Sequence, residues 1–366
     1  MSHRSPVVAG ALAAAALLLA ACGGGSSTTS SGSAAGKATD GGKIAFLLPE
    51  SKNAQYETQD RPWFFRNVRE LCPTCEVLYG NAQQDPQKQQ QQAEAALVNG
   101  AKVLVLDPVD SSSAAAIAAQ AKQRGVPVIA YDRLVLDADI DYYVSFDNEA
   151  VGRLQGEWLV KQVKRGDQIV MINGAPTDNN AGLFKKGAHS AIDPAGLKIG
   201  REYDTPDWSP DKAQHEMEQA ITALGRDNIK AVYAANDGTA SGAIAAMTGA
   251  GMDPTRIPTT GQDSEVAALQ RILAGTQGMT VYRSIKLQSR AAVELALALL
   301  RKQQPPASLK LTQVDNGREK VPSALFTPQV VTKDNMAKTV VADGYWTAKD
   351  ICVDQYKDAC AAAGIE

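Results

Sequence analysis

The chain has 366 residues, too many for one small core and enough for two domains of roughly 130 to 170 residues each. Hydrophobic residues make up 44% and charged residues 21%, the balance of a globular protein and not of a disordered one. The net charge of -3 excludes the basic surface that a nucleic-acid-binding domain usually carries.

Residues 1–22 read as a secretory signal. His3 and Arg4 make a modestly positive start, and "VVAGALAAAALLLAAC" is apolar but shorter than the ~20 residues a spanning helix needs. Its end, Leu19-Ala20-Ala21-Cys22, resembles the lipobox of bacterial lipoproteins, which implies that Cys22 is lipidated and heads the mature chain; the alternative is a plain signal with a chance cysteine. Residues 23–42, "GGGSSTTSSGSAAGKATDGG", cannot bury anything and read as a flexible tether. Together they predict a body held at the membrane on its extracytoplasmic side.

From Lys43 apolar strands alternate with helical patterns. "KIAFLLP" is a strand, "ETQDRPWFFRNVREL" an amphipathic helix with Pro62 in its first turn, and "CEVLYG" a strand. "PQKQQQQAEAALVNG" is a helix closed by Gly100 and "KVLVLDP" a strand. "SSSAAAIAAQAKQRG" is a helix opened by serine caps and closed by Gly125, and "VPVIAYD" is a strand. The second series runs "EAVGRLQGEWLVKQVKRG" (helix), "QIVMING" (strand), "NAGLFKKGAHSAID" (helix), "KIGREYD" (strand) and "SPDKAQHEMEQAITAL" (helix, Ser-Pro start). It continues with "IKAVYAAND" (strand), "GTASGAIAAMTGAG" (helix), "RIPTTGQD" (strand), "SEVAALQRILAG" (helix), "GMTVYRS" (strand) and "IKLQSRAAVELALALLRKQ" (helix). Repeated βα units with near-continuous apolar strands predict α/β architecture with parallel sheets covered on both faces.

Four cysteines remain after the leader: Cys72 and Cys75 in "CPTC", and Cys352 and Cys360 in the tail. Four allow three pairings; in an oxidising compartment two local bridges are expected, Cys72–Cys75 and Cys352–Cys360. A redox role for "CPTC" is disfavoured because the motif follows a helix, so no helix N-terminus lowers a thiol pKa. Neither His189 nor His215 belongs to a metal-ligand pattern, and no metal or cofactor is expected. "DADID", residues 137–141, alternates acids like a calcium loop, but Tyr142 and Asn148 stand where that loop needs Gly and Glu.

Strands end on polar residues: Asp107-Pro108, Asp132-Arg133, Asn236-Asp237, Gln262-Asp263 and Tyr282-Arg283. One such residue can be a helix cap. Five of them predict a shared polar cleft, because ligands of open α/β sheets bind outside the carboxyl ends of the strands.

The segments "VIAYDRLVLDADIDYYVSFDNEAVGRLQ", "PTDNNAGLFKKG", "AANDGTASGAI", "TTGQDSEVAALQRILAGTQGMTVYRSI" and "VPSALFTPQVVTKDN", with "KQQQQAEAALVNGAKVLVLDPVD", span most of residues 43–344. In these the chain resembles bacterial periplasmic sugar-binding proteins of the ribose/galactose type, and most of all xylose-binding proteins. The resemblance implies two doubly wound α/β domains joined by three hinge strands. The expected domains are 43–147 plus about 284–313, and about 148–283 plus 314–346, with 347–366 as a tail. It also implies capture of a monosaccharide in a closing cleft and delivery to an ABC-type permease with its ATPase. The protein is expected to be a monomer and not an enzyme.

By position the resemblance implies ligand contacts from Asp132, Arg133, Asp178, Asn180, Asn236 and Asp263, with Trp208 stacking on the sugar ring. Two places depart from the xylose-binding pattern. Gln55-Tyr56 replaces an arginine and an aromatic, and Arg283 replaces a lysine; both bear on which sugar is bound. The residue types suit the chemistry, since sugar hydroxyls donate and accept and are met by carboxylates, guanidiniums and amides together. Trp63, Trp158 and Trp346 read as packing residues. A glycosidase could use paired carboxylates, but these acids alternate with arginines, which favours ionised acceptors over a proton donor. A repressor needs a helix-turn-helix before the core, where this chain has a leader and tether. A receptor that also feeds a chemosensor is not distinguished from transport.

Overall fold

The computed structural model describes residues 41–365; the signal, nearly all of the tether and Cys22 lie outside the described residues. The first sheet holds β1 (Lys43–Leu48), β2 (Glu76–Asn81), β3 (Ala101–Leu106), β4 (Val128–Tyr131) and β5 (Tyr142–Phe146). The second region holds β6 (Gln168–Asn173), β7 (Lys198–Asp204), β8 (Ile229–Ala234) and β9 (Thr280–Tyr282). Late in the chain come β10 (Thr312–Asp315), β11 (Lys320–Phe326) and β12 (Gln329–Val331).

The first sheet has the order β10-β11-β5-β4-β3-β1-β2, parallel except for β10 against β11. Helices α1 (Arg61–Leu71), α2 (Pro86–Val98) and α3 (Ala115–Gln123) follow its strands. Its central strands β1, β3, β4 and β5 are buried on both faces, as their apolar runs require, while the edge strands β2 and β10 are partly exposed. Phe46 stacks on Phe64 at 3.9 Å, and each such side chain stabilises the fold by ~1.5 to 3 kcal/mol on burial.

The second lobe carries the parallel sheet β7-β6-β8 and the antiparallel pair β9-β12. Around them lie α4 (Asn148–Val160), α5 (Asn179–Ala195), α6 (Pro210–Leu224), α7 (Asp237–Gly249) and α8 (Val266–Ala274). Helices α4 and α5 meet at glycines: a Cβ on Gly152 would fall 1.8 Å from the Phe184 carbonyl oxygen, and one on Gly187 2.0 Å from that of Glu149. The chain passes between the lobes after β5, after β9 into α9 (Ile285–Leu300), and after β11. The architecture is that of two α/β domains joined by three crossings.

Several local expectations are corrected. Strand β11 pairs with β5, so residues 314–326 belong to the first sheet and not to the second lobe. "RIPTTGQD" forms only one bridge, Val232↔Thr259, although its backbone bonds to Val232 on one side and Val281 on the other join β8 to β9. Pro258 has no N–H to give a regular ladder. The serines before α3 do not cap it. Asp110 accepts the N–H groups of Ser112 and Ser113 at 3.0 and 2.6 Å, and the helix starts at Ala115. Ser209 makes no side-chain cap bond to α6, whose start rests on Pro210.

The tail, with α10 (Ala348–Ile351) and α11 (Lys357–Ala362), packs on α8 through Ile351, Cys360 and Ile365. Disulfides join Cys72 to Cys75 and Cys352 to Cys360. In the "DADID" loop Asp139 pairs with Lys122 and Asp141 accepts the Val128 N–H at 2.8 Å.

Candidate functional site

The carboxyl ends of the strands face a narrow cleft lined by Asn53, Tyr56, Asp132, Arg133, Asp178, Asn180, Phe184, Trp208, Asn236, Gln262 and Arg283. Among the described residues no cluster of three or more His, Cys, Asp or Glu is placed to hold a metal ion.

Asp132 ends β4 in the left-handed region, φ 55°, where an L-residue costs ~1 to 3 kcal/mol. A tight turn results, with the Arg133 N–H donating to the Tyr131 carbonyl at 2.6 Å. The conformation is held because the Asp132 carbonyl accepts from Tyr143 Oη (2.9 Å), Ser145 Oγ (2.7 Å) and Asn180 Nδ2 (3.0 Å). The turn sends the two neighbouring side chains apart, and they do not pair with each other.

Asp132 Oδ1 instead accepts from Arg283 at 2.8 Å, and its Oδ2 accepts the Tyr56 hydroxyl at 3.2 Å. Arg283 also donates to Asp263 Oδ1 (2.8 Å) and Gln55 Oε1 (3.2 Å). Arg133 Nε lies 3.0 Å from Asp178 Oδ2 and 3.8 Å from Asp107, and its guanidinium donates to the Pro108 carbonyl at 3.3 Å. Burial alone would lower the Arg133 pKa. The surrounding Tyr56, Asp178, Asp107 and Glu50 hold it well above its usual value.

Asp178 opens α5, accepting the Asn180 N–H at 2.9 Å, and also accepts the Trp208 indole N–H at 3.1 Å. It is therefore a helix cap and a cleft residue at once. Burial raises its pKa while Arg133 pulls it down. Asn236 is a cap too: its Oδ1 accepts the Thr239 N–H at 2.8 Å, leaving the amide nitrogen for the cleft. Trp208 sits in a short turn where Asp207 and Trp208 both have positive φ, 60° and 54°. Its ring lies edge-on to Phe184 at 6.2 Å and directly against Gly174, where a Cβ would come within 1.9 Å of the indole. Only glycine lets the ring lie there.

Of the expected contact residues, Asp132, Arg133, Asp178, Asn180, Trp208, Asn236, Arg283 and Tyr56 line the cleft. Gln55 and Asp263 do not; they stand behind Arg283 and hold it. Three further residues line it: Gln262 was among the polar strand ends, while Phe184 and Asn53 escaped the sequence reading. Phe184 lies one helical turn after Asn180, so helical periodicity could have found it. Gln262 adjoins Asp263 and donates to it at 3.0 Å. Asn53, in the loop before the first helical turn, bonds Asp263 across 210 positions at 2.8 Å and gave no local signal.

Behind the cleft lie buried acids. Asp60 accepts from Tyr131 (2.5 Å) and Gln55 (3.1 Å), and its burial pushes the carboxyl up to about 8. Glu50 is pushed up to about 7 by burial, against the pull of Arg133. Asp107 is driven well above the carboxylate range, again by burial first, and neither of its oxygens finds a hydrogen-bond donor among the described residues. The arrangement offers fixed donors and acceptors of both signs beside the flat faces of Trp208 and Phe184. It suits a small neutral ligand rich in hydroxyls.

A family model described as periplasmic binding protein domain matches residues 44–304. The D-xylose-binding periplasmic protein of Escherichia coli is 39% identical over 307 residues, covering 83% of this chain and 90% of that protein. The multiple sugar-binding periplasmic receptor ChvE of Rhizobium radiobacter is 31% identical, covering 86% and 93%. Among solved structures, a carbohydrate transporter solute binding protein of Chloroflexus aurantiacus in complex with D-glucose matches with a TM-score of 0.77 and 30% identity, covering 84% of this chain and 97% of that one.

Proposed function

The chain belongs to the periplasmic binding protein domain family, and from that premise we propose that it captures a monosaccharide, xylose or a related pentose or hexose, and delivers it to an ABC permease. One observation carries the reading. Two buried arginines and five aspartate and asparagine side chains converge beside Trp208 and Phe184 at the strand ends. Bidentate contacts from such groups to neighbouring hydroxyls encode stereochemistry. Each bond nets only ~1 to 3 kcal/mol, so several must form together.

Asp132 and Arg133 come from the first lobe, and Asp178, Asn180, Trp208 and Asn236 from the second. A sugar bound to one set is enclosed when the three crossings let the lobes close. The protein is a binding protein and not an enzyme, and the sugar leaves unchanged. We further propose anchoring through Cys22, which keeps a monomeric body near its permease. The R. radiobacter relative is described as a receptor, which favours chemosensing as a second reading.

Calorimetric titration with D-xylose, D-glucose, D-galactose, L-arabinose and D-ribose tests the proposal. Tight binding of at least one sugar is expected. No heat and no tryptophan fluorescence change with any of them overturns it.

A further inference from the structure

The tail does more than cover α8. Residues 343–346, which lead into it, touch the segments on either side of the Asp263–Arg283 pair. Asp343 Oδ2 accepts from Ser284 Oγ at 3.0 Å and from the Tyr282 hydroxyl, the two residues that flank Arg283. Tyr345 Oη donates to the Asp263 carbonyl at 3.2 Å, and Trp346 Nε1 donates to the Ser264 carbonyl at 2.8 Å. The Tyr345 carbonyl accepts from Gln59 Nε2 at 3.2 Å, one turn along from Gln55 and Tyr56. Four backbone or side-chain anchors thus reach three segments far apart in sequence, and each segment carries a residue of the cleft or of its support.

The held backbone is one that would not hold itself. Asp263 and Ser264 have φ of 100° and 54°, successive conformations that L-residues rarely adopt. Their carbonyls are the two that Tyr345 and Trp346 engage. This conformation sets Asp263 Oδ1 2.8 Å from Arg283 and Oδ2 2.8 Å from Asn53. The tail is pinned in turn. Ile351 and Cys360 are buried against Leu269, Ile272 and Leu273 of α8, Gln270 donates to the Ile351 carbonyl at 3.0 Å, and the Cys352–Cys360 bridge closes the loop between α10 and α11.

We propose that residues 343–346, anchored by the Cys352–Cys360 bridge, are a positioning clasp for the sugar site that fixes the Asp263–Arg283 pair by holding the residues beside each. The inference rests on the reading that Arg283 belongs to that site. Tyr345 and Trp346 do not touch the ligand; they act through Asp263. Breaking the clasp lets the 263–264 turn relax, and Arg283 then loses one of its two buried carboxylates.

The test is Tyr345→Phe and Trp346→Phe in the full chain, with Cys352→Ser/Cys360→Ser as a third variant. Tyr345→Phe keeps the ring that packs edge-on against Tyr282 at 5.0 Å, so it tests the bond without emptying the core. Sugar affinity is measured by calorimetry and the thermal midpoint without sugar. Each variant is expected to weaken binding ~3- to 10-fold, the worth of about one hydrogen bond, with the midpoint of Tyr345→Phe little changed. In an Asp263→Ala background the effect of Tyr345→Phe should vanish. A wild type that binds no sugar overturns the site reading, and this inference falls with it. A wild type that binds, with all three variants binding equally well, overturns the clasp alone. So does a Tyr345→Phe loss of the same size in both backgrounds, which marks a general packing effect.

Discussion

Asp132→Ala separates two accounts of the neighbouring charges at the end of β4. If Asp132 and Arg133 were partners, removing the acid would strand Arg133. The structure gives Asp132 to Arg283 at 2.8 Å and Arg133 to Asp178 at 3.0 Å. All four side chains are buried. A hydrogen bond to a charged group contributes ~1.5 to 3 kcal/mol, and leaving one member of a buried pair alone costs ~3 to 5 kcal/mol. Arg283 keeps Asp263 and Gln55 when Asp132 is lost, so the cost of Asp132→Ala falls at the lower end, about 3 kcal/mol. The assay is denaturant unfolding of the sugar-free protein in two double-mutant cycles, Asp132→Ala with Arg283→Met and Asp132→Ala with Arg133→Met. The first should show a coupling of ~1.5 to 3 kcal/mol and the second about 0.5 kcal/mol or less. A coupling to Arg133 as large as that to Arg283 contradicts the pairing of Asp132 with Arg283.

Trp208→Phe keeps an apolar face but takes the indole N–H from Asp178; sugar affinity should fall by ~1 to 2 kcal/mol in calorimetry. Gly174→Ala should force the Trp208 ring aside, destabilising the protein by ~1 to 3 kcal/mol and weakening binding, as unfolding curves and titrations would show. Burial pushes the carboxyls of Glu50 up to about 7 and Asp60 up to about 8, above their unfolded values near 4. The folded chain therefore keeps protons that the unfolded chain has lost, and the stabilisation present at acid pH is lost as pH rises through 7 and 8. The thermal midpoint should fall between about pH 5 and about pH 8.5, and Asp60→Asn should flatten the fall; a midpoint that rises over that window contradicts the assignment.

Much of the site was legible because its residues stand at ends of elements that the sequence marks clearly. Asp178 and Asn236 carry cap signals, and Asp132-Arg133 and Tyr282-Arg283 end apolar strands. Asp263 was marked by the same logic and Gln55 only by the family resemblance; both lie one layer further back, because Arg283 fills the space between them and the cleft. Asn53 had no such signal: a loop asparagine is ordinary until the fold sets it beside Asp263.

The alternation of strands and helices, the parallel class of the sheets and the ends at which polar residues collect are all written in short stretches of the chain. These follow from periodicities of two and 3.6 and from caps, which act over a few residues. Only the tertiary structure decided which charge meets which. The pairing of Asp132 with Arg283 spans 151 positions, the place of β11 beside β5 spans the whole second lobe, and Tyr345 reaches back to hold Asp263. Such choices depend on register, crossing and a left-handed turn at one residue, and no local pattern carries them.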